Sequence, residues 1–448
     1  MRNAVIWATI FGAAILLAGC TAMSGGARLE PAPHQVQAFG GVLRGVNETQ
    51  DEPARRRFIF NIHGMGPTSA DYNKPLWEHL VRAGYARDNQ GAWTPAPLGE
   101  GAYRLRGEGF KCSPTPDARH DPPCAYRTFG KYRVDVFSRS KGSVREEVYV
   151  YTYFWEADLW ALQAPYLTGD LQEPILPRQG IGNGLLKRYV MDHGFSDAVA
   201  YLGPGGNLVR EGVRGAVCVM MKHAMKARGA SEPPPPDPLG GSHCLEVLGD
   251  GFEVPIDVEF SFISHSLGSR MLLDALAPYT TPTAGAVGAR SVKSDISLQK
   301  LADRTRTFFM AANQVPLLGI GRVELISTTS PPPPGASEGR SFLDFKLGKA
   351  PREKAAVSPI LELDVVAFWD PGDLLGFKVD GGMAQREFEG PGVTYTTVAH
   401  RNTPQWAFLF SWPSAAHDRE METASAYRLI LCGGDVGASG RLKPRPCF

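Results

Sequence analysis

The sequence predicts an α/β protein, with a mostly parallel central sheet, helices on both of its faces, and loop and helix insertions between them. Three observations lead there. Runs such as RFIFNIH and REEVYVYTYFW are apolar, β-branched and aromatic, as strands in a sheet core are. Segments of helical periodicity separate them, and strands that alternate with helices build a parallel sheet covered on both sides. No repeat at a fixed period is visible, and the proline-rich interruptions read as loops inserted into one domain rather than as domain boundaries.

Taken in order, Arg57–His63 is the first strand and runs into Gly64-Met65-Gly66-Pro67. Ser69–Tyr85 then carries helical spacing, with Leu76, Leu80 and Val81 on one side. A loop-rich stretch leads to the second strand, Arg145–Trp155. Residues 156–250 are less regular and read as an insertion or cap. Within it Leu185–Leu202 and Val209–Arg228 have helical periodicity, while SEPPPPDPLGG (Ser231–Gly241) is an extended loop. Val254–Ile263 is the third strand and is followed by the helical run MLLDAL. Arg306–Ala312 and Glu362–Trp369 are the fourth and fifth strands, separated by SPPPPG, and Thr423–Cys432 is the last helix.

The chain has 448 residues, 43% of them hydrophobic and 21% charged, which is ordinary globular material. A net charge of +1 gives no field that would draw a nucleic acid. Met1-Arg2-Asn3 is a polar, positive start, and AVIWATIFGAAILLAGC is apolar up to Cys20 but short for a permanent membrane span. The segment ends Leu17-Ala18-Gly19-Cys20, which resembles a bacterial lipoprotein signal with its lipobox. That resemblance implies removal of residues 1–19 and a lipid on Cys20 that holds the protein to a membrane. Thr21 after the cysteine implies the outer membrane of the cell envelope, facing periplasm or surface. Residues 20–52 then read as a flexible tether and 53–448 as the folded domain. Export suits the six remaining cysteines, and nearest-neighbour pairs (Cys112–Cys124, Cys218–Cys244, Cys432–Cys447) would each staple a proline-containing loop. No Cys-x-x-Cys or His-Glu-x-x-His occurs, so neither a metal nor a cofactor is expected.

Ser264-His265-Ser266-Leu267-Gly268 lies where the third strand gives way to a helix. Chemistry collects at such turns on the C-terminal edge of a parallel sheet. A nucleophile there needs small residues two positions to either side, and Ser264 and Gly268 supply them. The stretch resembles the Gly-x-Ser-x-Gly nucleophile elbow of the α/β-hydrolase superfamily, with serine at the first position. The resemblance implies an α/β-hydrolase fold and a chain order of oxyanion loop, serine, acid, histidine.

Each remaining part has a candidate. His63-Gly64-Met65-Gly66 resembles the His-Gly-x-Gly oxyanion loop of esterases and lipases, with backbone N–H groups of Met65 and Leu267 as the donors. Asp370 and Asp373 follow the fifth strand. Asp373, on the loop, is favoured as the acid and Asp370 is the alternate. Only His400 and His417 follow the acid. His417, ahead of the last helix, is favoured as the base, and His400, ending VTYTTVAH, is the alternate. His265 is read as pointing away from the chemistry.

The expectation is a membrane-anchored serine hydrolase acting on a small-molecule or lipid carboxylic ester through an acyl-enzyme. The alternatives are an acyltransferase on the same site and a non-catalytic surface lipoprotein that binds through a hydrolase scaffold. GFSDAVAYLG and FFMAANQVPLL are distinctive, but no chemistry attaches to them.

Overall fold

The computed structural model describes residues 28–29, 38–43, 55–65, 68–98, 103–105, 124–126, 128–141, 144–172, 194–203, 205–227, 229–277, 292–319, 342–348, 360–379, 382, 387–388, 390–400, 417, 423–437 and 442–447. In chain order its strands are β1 (Arg28–Leu29), β2 (Arg56–Ile62), β3 (Ala86–Gln90), β4 (Thr94–Pro97), β5 (Tyr103–Leu105), β6 (Cys124–Tyr126), β7 (Thr128–Lys141), β8 (Val144–Phe154), β9 (Val258–His265), β10 (Thr305–Ala311), β11 (Leu363–Trp369) and β12 (Val393–Ala399). Two short strands, β13 (Gly434–Val436) and β14 (Leu442–Pro444), pair near the C-terminus.

The central sheet has the order β1-β12-β11-β10-β9-β2-β8-β7-β3, with β4 also on β7. β8, β2, β9, β10, β11 and β12 run parallel. β7 is antiparallel to β8, β3 and β4, and β1 is antiparallel to β12. This is an α/β architecture with a mostly parallel sheet. Every residue of β2 is buried, because successive side chains leave on opposite faces and both faces are covered. Phe58, Phe60 and Ile62 enter one apolar layer with helices Gly205–Ala224, Gly241–Leu248 and Leu267–Ala275. Ile59 enters the other with helices Lys74–Arg82 and Ala424–Cys432.

Several elements depart from the sequence reading, each for a local reason. The third strand starts at Val258, not Val254, because Pro255 opens a turn that Val258 N–H closes at 3.0 Å, leaving Ile256 exposed. The first helix is only Lys74–Arg82, entered through Pro75, and its buried face is Leu76, Trp77 and Leu80 while Val81 is exposed. β7 lies in the stretch read as loop. Its charged positions Arg133 and Asp135 are buried as an ion pair, with Arg87 also on Asp135 at 2.5 Å and Arg133 over the rings of Trp77 and Trp93. Gly205–Ala224, inside the segment read as a cap, is nearly all buried and packs on the sheet over β7, β4, β2 and β8.

Part of the segment read as a tether is docked. Phe39 is buried edge-on to Phe309, Gly40 N–H donates to Asp364 Oδ2 at 2.7 Å, and Val42 and Leu43 N–H groups donate to Ile430 and Leu431 carbonyls. Residues 1–27, with Cys20, lie outside the described residues, as do Gly66, Cys112 and the side chain of Cys124. Among the described residues no helix is long and apolar enough to cross a membrane.

Disulfides join Cys218 to Cys244 and Cys432 to Cys447. The first ties helix Gly205–Ala224 to helix Gly241–Leu248 across a separation of 26 residues. Closing a loop of that length restricts the unfolded chain by about 3 kcal/mol. The Cys218→Ala/Cys244→Ala variant is therefore expected to unfold at lower urea, with a loss of about 2–4 kcal/mol by linear extrapolation.

Candidate active site

β9 ends at His265, Ser266 is a single connecting residue, and Leu267 begins a helix. Turning from strand to helix in one residue forces Ser266 to φ 54 and ψ −127, a conformation that costs an L-residue about 1–3 kcal/mol. The turn is held on every side. Ser266 N–H donates to the Ala311 carbonyl at 2.8 Å, and Ser269 N–H donates to the Ser266 carbonyl at 3.1 Å. Ser264, fully buried, donates its hydroxyl to the Phe309 carbonyl at 3.0 Å and shares a hydrogen bond with Ser269. The first position of the elbow thus carries a hydroxyl that ties β9 to β10.

Two glycines are required by close approach. A Cβ on Gly64 would collide with Cβ of Ser266 and lie 2.8 Å from His265 Nδ1; a Cβ on Gly268 would collide with the His63 carbonyl. The loop after β2 is thereby pressed against the serine. His63 fixes that loop. Its Nδ1–H donates to the Gly64 carbonyl at 2.8 Å, Nε2 accepts from Trp155 N–H at 3.3 Å, and Trp155 stacks on the ring and donates to the His63 carbonyl. Burial pulls the His63 pKa down to about 3, so the ring is neutral and both nitrogens are committed to structure. Leu267 is the first residue of its helix, where N–H groups have no intrahelical acceptor. Met65 stands on the other side, part-buried against the core.

His417 meets the serine. Its Nε2 is 2.7 Å from Ser266 Oγ, and its Nδ1 is 2.8 Å from Asp373 Oδ2. A carboxylate only accepts, so Nδ1 carries the proton and Nε2 accepts from the serine hydroxyl. Ser266, His417 and Asp373 are all buried. Asp373 is oriented by Leu375 N–H on Oδ1 at 2.8 Å and by its own N–H on the Asp370 carbonyl at 3.0 Å.

The alternates sit elsewhere. Asp370 Oδ1 accepts Gly372 N–H at 2.7 Å, closing a turn over Pro371. His400 is buried beyond β12 with Nε2 3.0 Å from Ser425 Oγ, and burial lowers its pKa to about 4. The structure therefore brings Ser266, His417 and Asp373 together and leaves Asp370 and His400 in local roles.

His265, set aside as the base, has a contact that the sequence did not show. Its Nε2–H donates to the His417 backbone carbonyl at 3.0 Å, and its ring lies 5.1 Å from the His417 ring. It is a positioning residue for the histidine. Burial, then the neighbouring His417, pull its pKa down to about 4. The GFSDAVAYLG run also gains a place, since Tyr201 donates to Asp274 on the helix that follows the serine.

No protein-family model matches the chain, and neither a curated protein nor a solved structure matches it.

The strain at Ser266 can be measured. Ser266→Gly relieves the positive φ and Ser266→Ala keeps it, so the glycine variant is expected to be more stable than the alanine variant by about 1 kcal/mol in urea unfolding. His265 links stability to pH. Folded, it takes a proton only near pH 4; unfolded, near 6.5, so unfolding takes up a proton between those values. Its contribution is complete above 6.5 and is lost as pH falls toward 4. Between pH 7 and pH 5 the wild type is expected to lose on the order of 1–2 kcal/mol more than His265→Gln, read from paired urea curves.

Proposed function

We propose that this chain is a serine hydrolase of the α/β-hydrolase type that cleaves carboxylic esters through an acyl-enzyme. The observation that carries the reading is the continuous hydrogen-bonded line Ser266 Oγ, His417, Asp373 at the end of a strained strand-to-helix turn. The order along the chain supports it: glycine loop after β2, serine after β9, acid after β11, histidine after β12.

In this mechanism Ser266 Oγ attacks the acyl carbonyl while His417 Nε2 takes its proton, and Asp373 stabilises the imidazolium that results. The N–H groups of Met65 and Leu267 receive the developing oxyanion, assisted by the positive end of the helix that Leu267 begins. The tetrahedral intermediate collapses, His417 gives its proton to the departing alcohol, and the acyl group stays on Ser266. Water then enters, gives a proton to His417, and attacks the acyl carbon. Collapse of the second intermediate returns that proton to Ser266 and releases the acid. With the lipobox-like Leu17–Cys20 segment, we place this chemistry on a lipid-anchored envelope protein.

A fluorophosphonate probe and p-nitrophenyl esters of rising chain length test the reading. The wild type is expected to be labelled at Ser266 and to turn over esters, with both lost in Ser266→Ala. His417→Ala and Asp373→Ala should lower kcat by at least about a thousandfold, whereas Asp370→Asn should cost less than about tenfold. A folded wild type that is neither labelled nor active would sink the hydrolase reading in favour of a binding scaffold.

A further inference from the structure

β1 meets the sheet at the edge where Ser266 stands. Arg28 pairs with Ala399, and Ala399 pairs with Trp369. One residue earlier on each strand, Phe368 pairs with Ala311 and Ala311 with His265. Arg28 is therefore level with Ser266 along the strands and four strands, or about 19 Å, away across the sheet. β1 is antiparallel to β12, so it runs away from the C-terminal edge and Arg28 is its residue nearest that edge. Cys20 is eight residues upstream, and eight residues span at most about 29 Å. The opposite edge, where the parallel strands begin, is farther by a strand length of about 23 Å. A lipid on Cys20 thus keeps the catalytic edge on a short leash to the bilayer.

An apolar ridge stands at the same edge. Helix Gly205–Ala224 runs opposite to the parallel strands. A Cβ on Gly212 would collide with the Phe129 carbonyl and the Tyr153 hydroxyl near the end of β8, whereas the Lys226 carbonyl, just past the helix, accepts from Arg56 at the start of β2. Its first residues therefore lie at the C-terminal edge, and helix Ser196–Leu202 packs directly against them, since a Cβ on Gly206 would collide with the Tyr201 carbonyl. Ala198 and Tyr201 face inward, and the Tyr201 hydroxyl donates to Asp274 at 2.7 Å. Phe195 already has helical backbone angles, φ −66 and ψ −34, so Phe195, Val199 and Leu202 share the outward face. All three are exposed, Val199 by 66% and Leu202 by 52%, and Leu374 is exposed beside the acid. Single apolar side chains in water are ordinary, but three in one stripe mark an interaction surface. The anchor identifies the partner, because it holds a bilayer within reach of this edge at all times.

We infer that the C-terminal edge of the sheet is a membrane-docking face. Phe195, Val199 and Leu202 enter the acyl boundary of the bilayer that Cys20 anchors, and Ser266 receives an ester of a lipid resident in that bilayer. The inference rests on the readings of Cys20 as lipidated and of Ser266 as the nucleophile. Docking is nonetheless measurable without turnover.

The lipidated full chain in dioleoylphosphatidylcholine vesicles separates the outcomes. The mass of its N-terminal peptide reads the lipid, and a bare Cys20 overturns the inference. Val199→Trp puts a reporter on the ridge. Ile256→Trp puts one just before β9 on the opposite edge, where Ile256 is 64% exposed. Lipid brominated on its acyl chains is expected to quench the added fluorescence at 199 by at least about twofold and to leave that at 256 unchanged. Equal quenching at both positions, or none at 199, overturns the docking face. Turnover reads the substrate. In Val199→Ser/Leu202→Ser, the ratio of kcat/KM for p-nitrophenyl palmitate in the vesicles to that for p-nitrophenyl butyrate in solution is expected to fall at least about tenfold below the wild-type ratio. An unchanged ratio, or a wild type that turns over only the soluble ester, overturns the bilayer as the source of substrate. Quenching at 199 in a protein that no fluorophosphonate labels supports the docking face and removes the hydrolase reading. Labelling without quenching does the reverse.

Discussion

At Ser266 the chain leaves a strand buried on both faces and enters a helix within one residue, at a positive φ that few side chains tolerate. Such a conformation persists only where the surroundings leave no relaxed alternative. Here Gly268 lets the helix close on the His63 carbonyl, Gly64 lets the β2 loop close on the serine Cβ, and Ser264 locks the strand end to β10 through Phe309. His63 and Trp155 in turn fix the Gly64 loop from the β8 side. The residues pressed against the serine are the residues that make its backbone geometry tolerable. A single turn therefore organises four strand ends.

The parallel sheet then sets a distance problem. Neighbouring strands lie about 4.8 Å apart, so β11 and β12 end about 10 and 14 Å from β9 along the sheet edge. Asp373 and His417 cannot meet Ser266 from those ends directly, and the chain beyond each strand has to return toward β9. Asp370 folds the first loop through its turn over Pro371, and Asn313 pins the far end of it at Phe377. His265 holds the backbone of His417. Each reach across the edge is thus secured by a polar group adjacent to, but not part of, the Ser266–His417–Asp373 hydrogen-bonded line.

Much of this was readable from the chain alone, and the limits have physical causes. The core strands were legible because two-sided burial writes a continuous apolar run, as in Phe58–Ile62 and Phe308–Ala311. The serine, the glycines and the favoured Asp373 and His417 were legible because order along the chain constrains which residue can follow which. β7 was not, since its charged positions are buried as ion pairs, and a strand reading KYRVDVF carries the polarity of an exposed segment. The docking of Phe39 was hidden by its polar, glycine-containing surroundings. His265 was rightly set aside as the base, but its hold on the His417 carbonyl was not legible, because adjacency in sequence to Ser266 says nothing of where a ring reaches once the turn is sharp.

The costs in this fold are not spread evenly. The described residues contain two non-glycine positions at positive φ, Ser266 and Ala312, and they flank one hydrogen bond between β9 and β10. Around them His63 and His265 are held neutral by burial. At the opposite edge charged side chains pair: Arg55 and Arg306 share Glu259, Arg56 meets Asp257, and Arg139 meets Glu146. Sequences that specify one structure satisfy local preferences everywhere except where something other than stability is being served. A scaffold under no constraint but stability would gain by relaxing Ser266 to glycine. That the strained turn is nonetheless held by Gly64, Gly268, Ser264 and the Ala311 carbonyl shows how much of the surrounding packing is given to keeping one serine where it is.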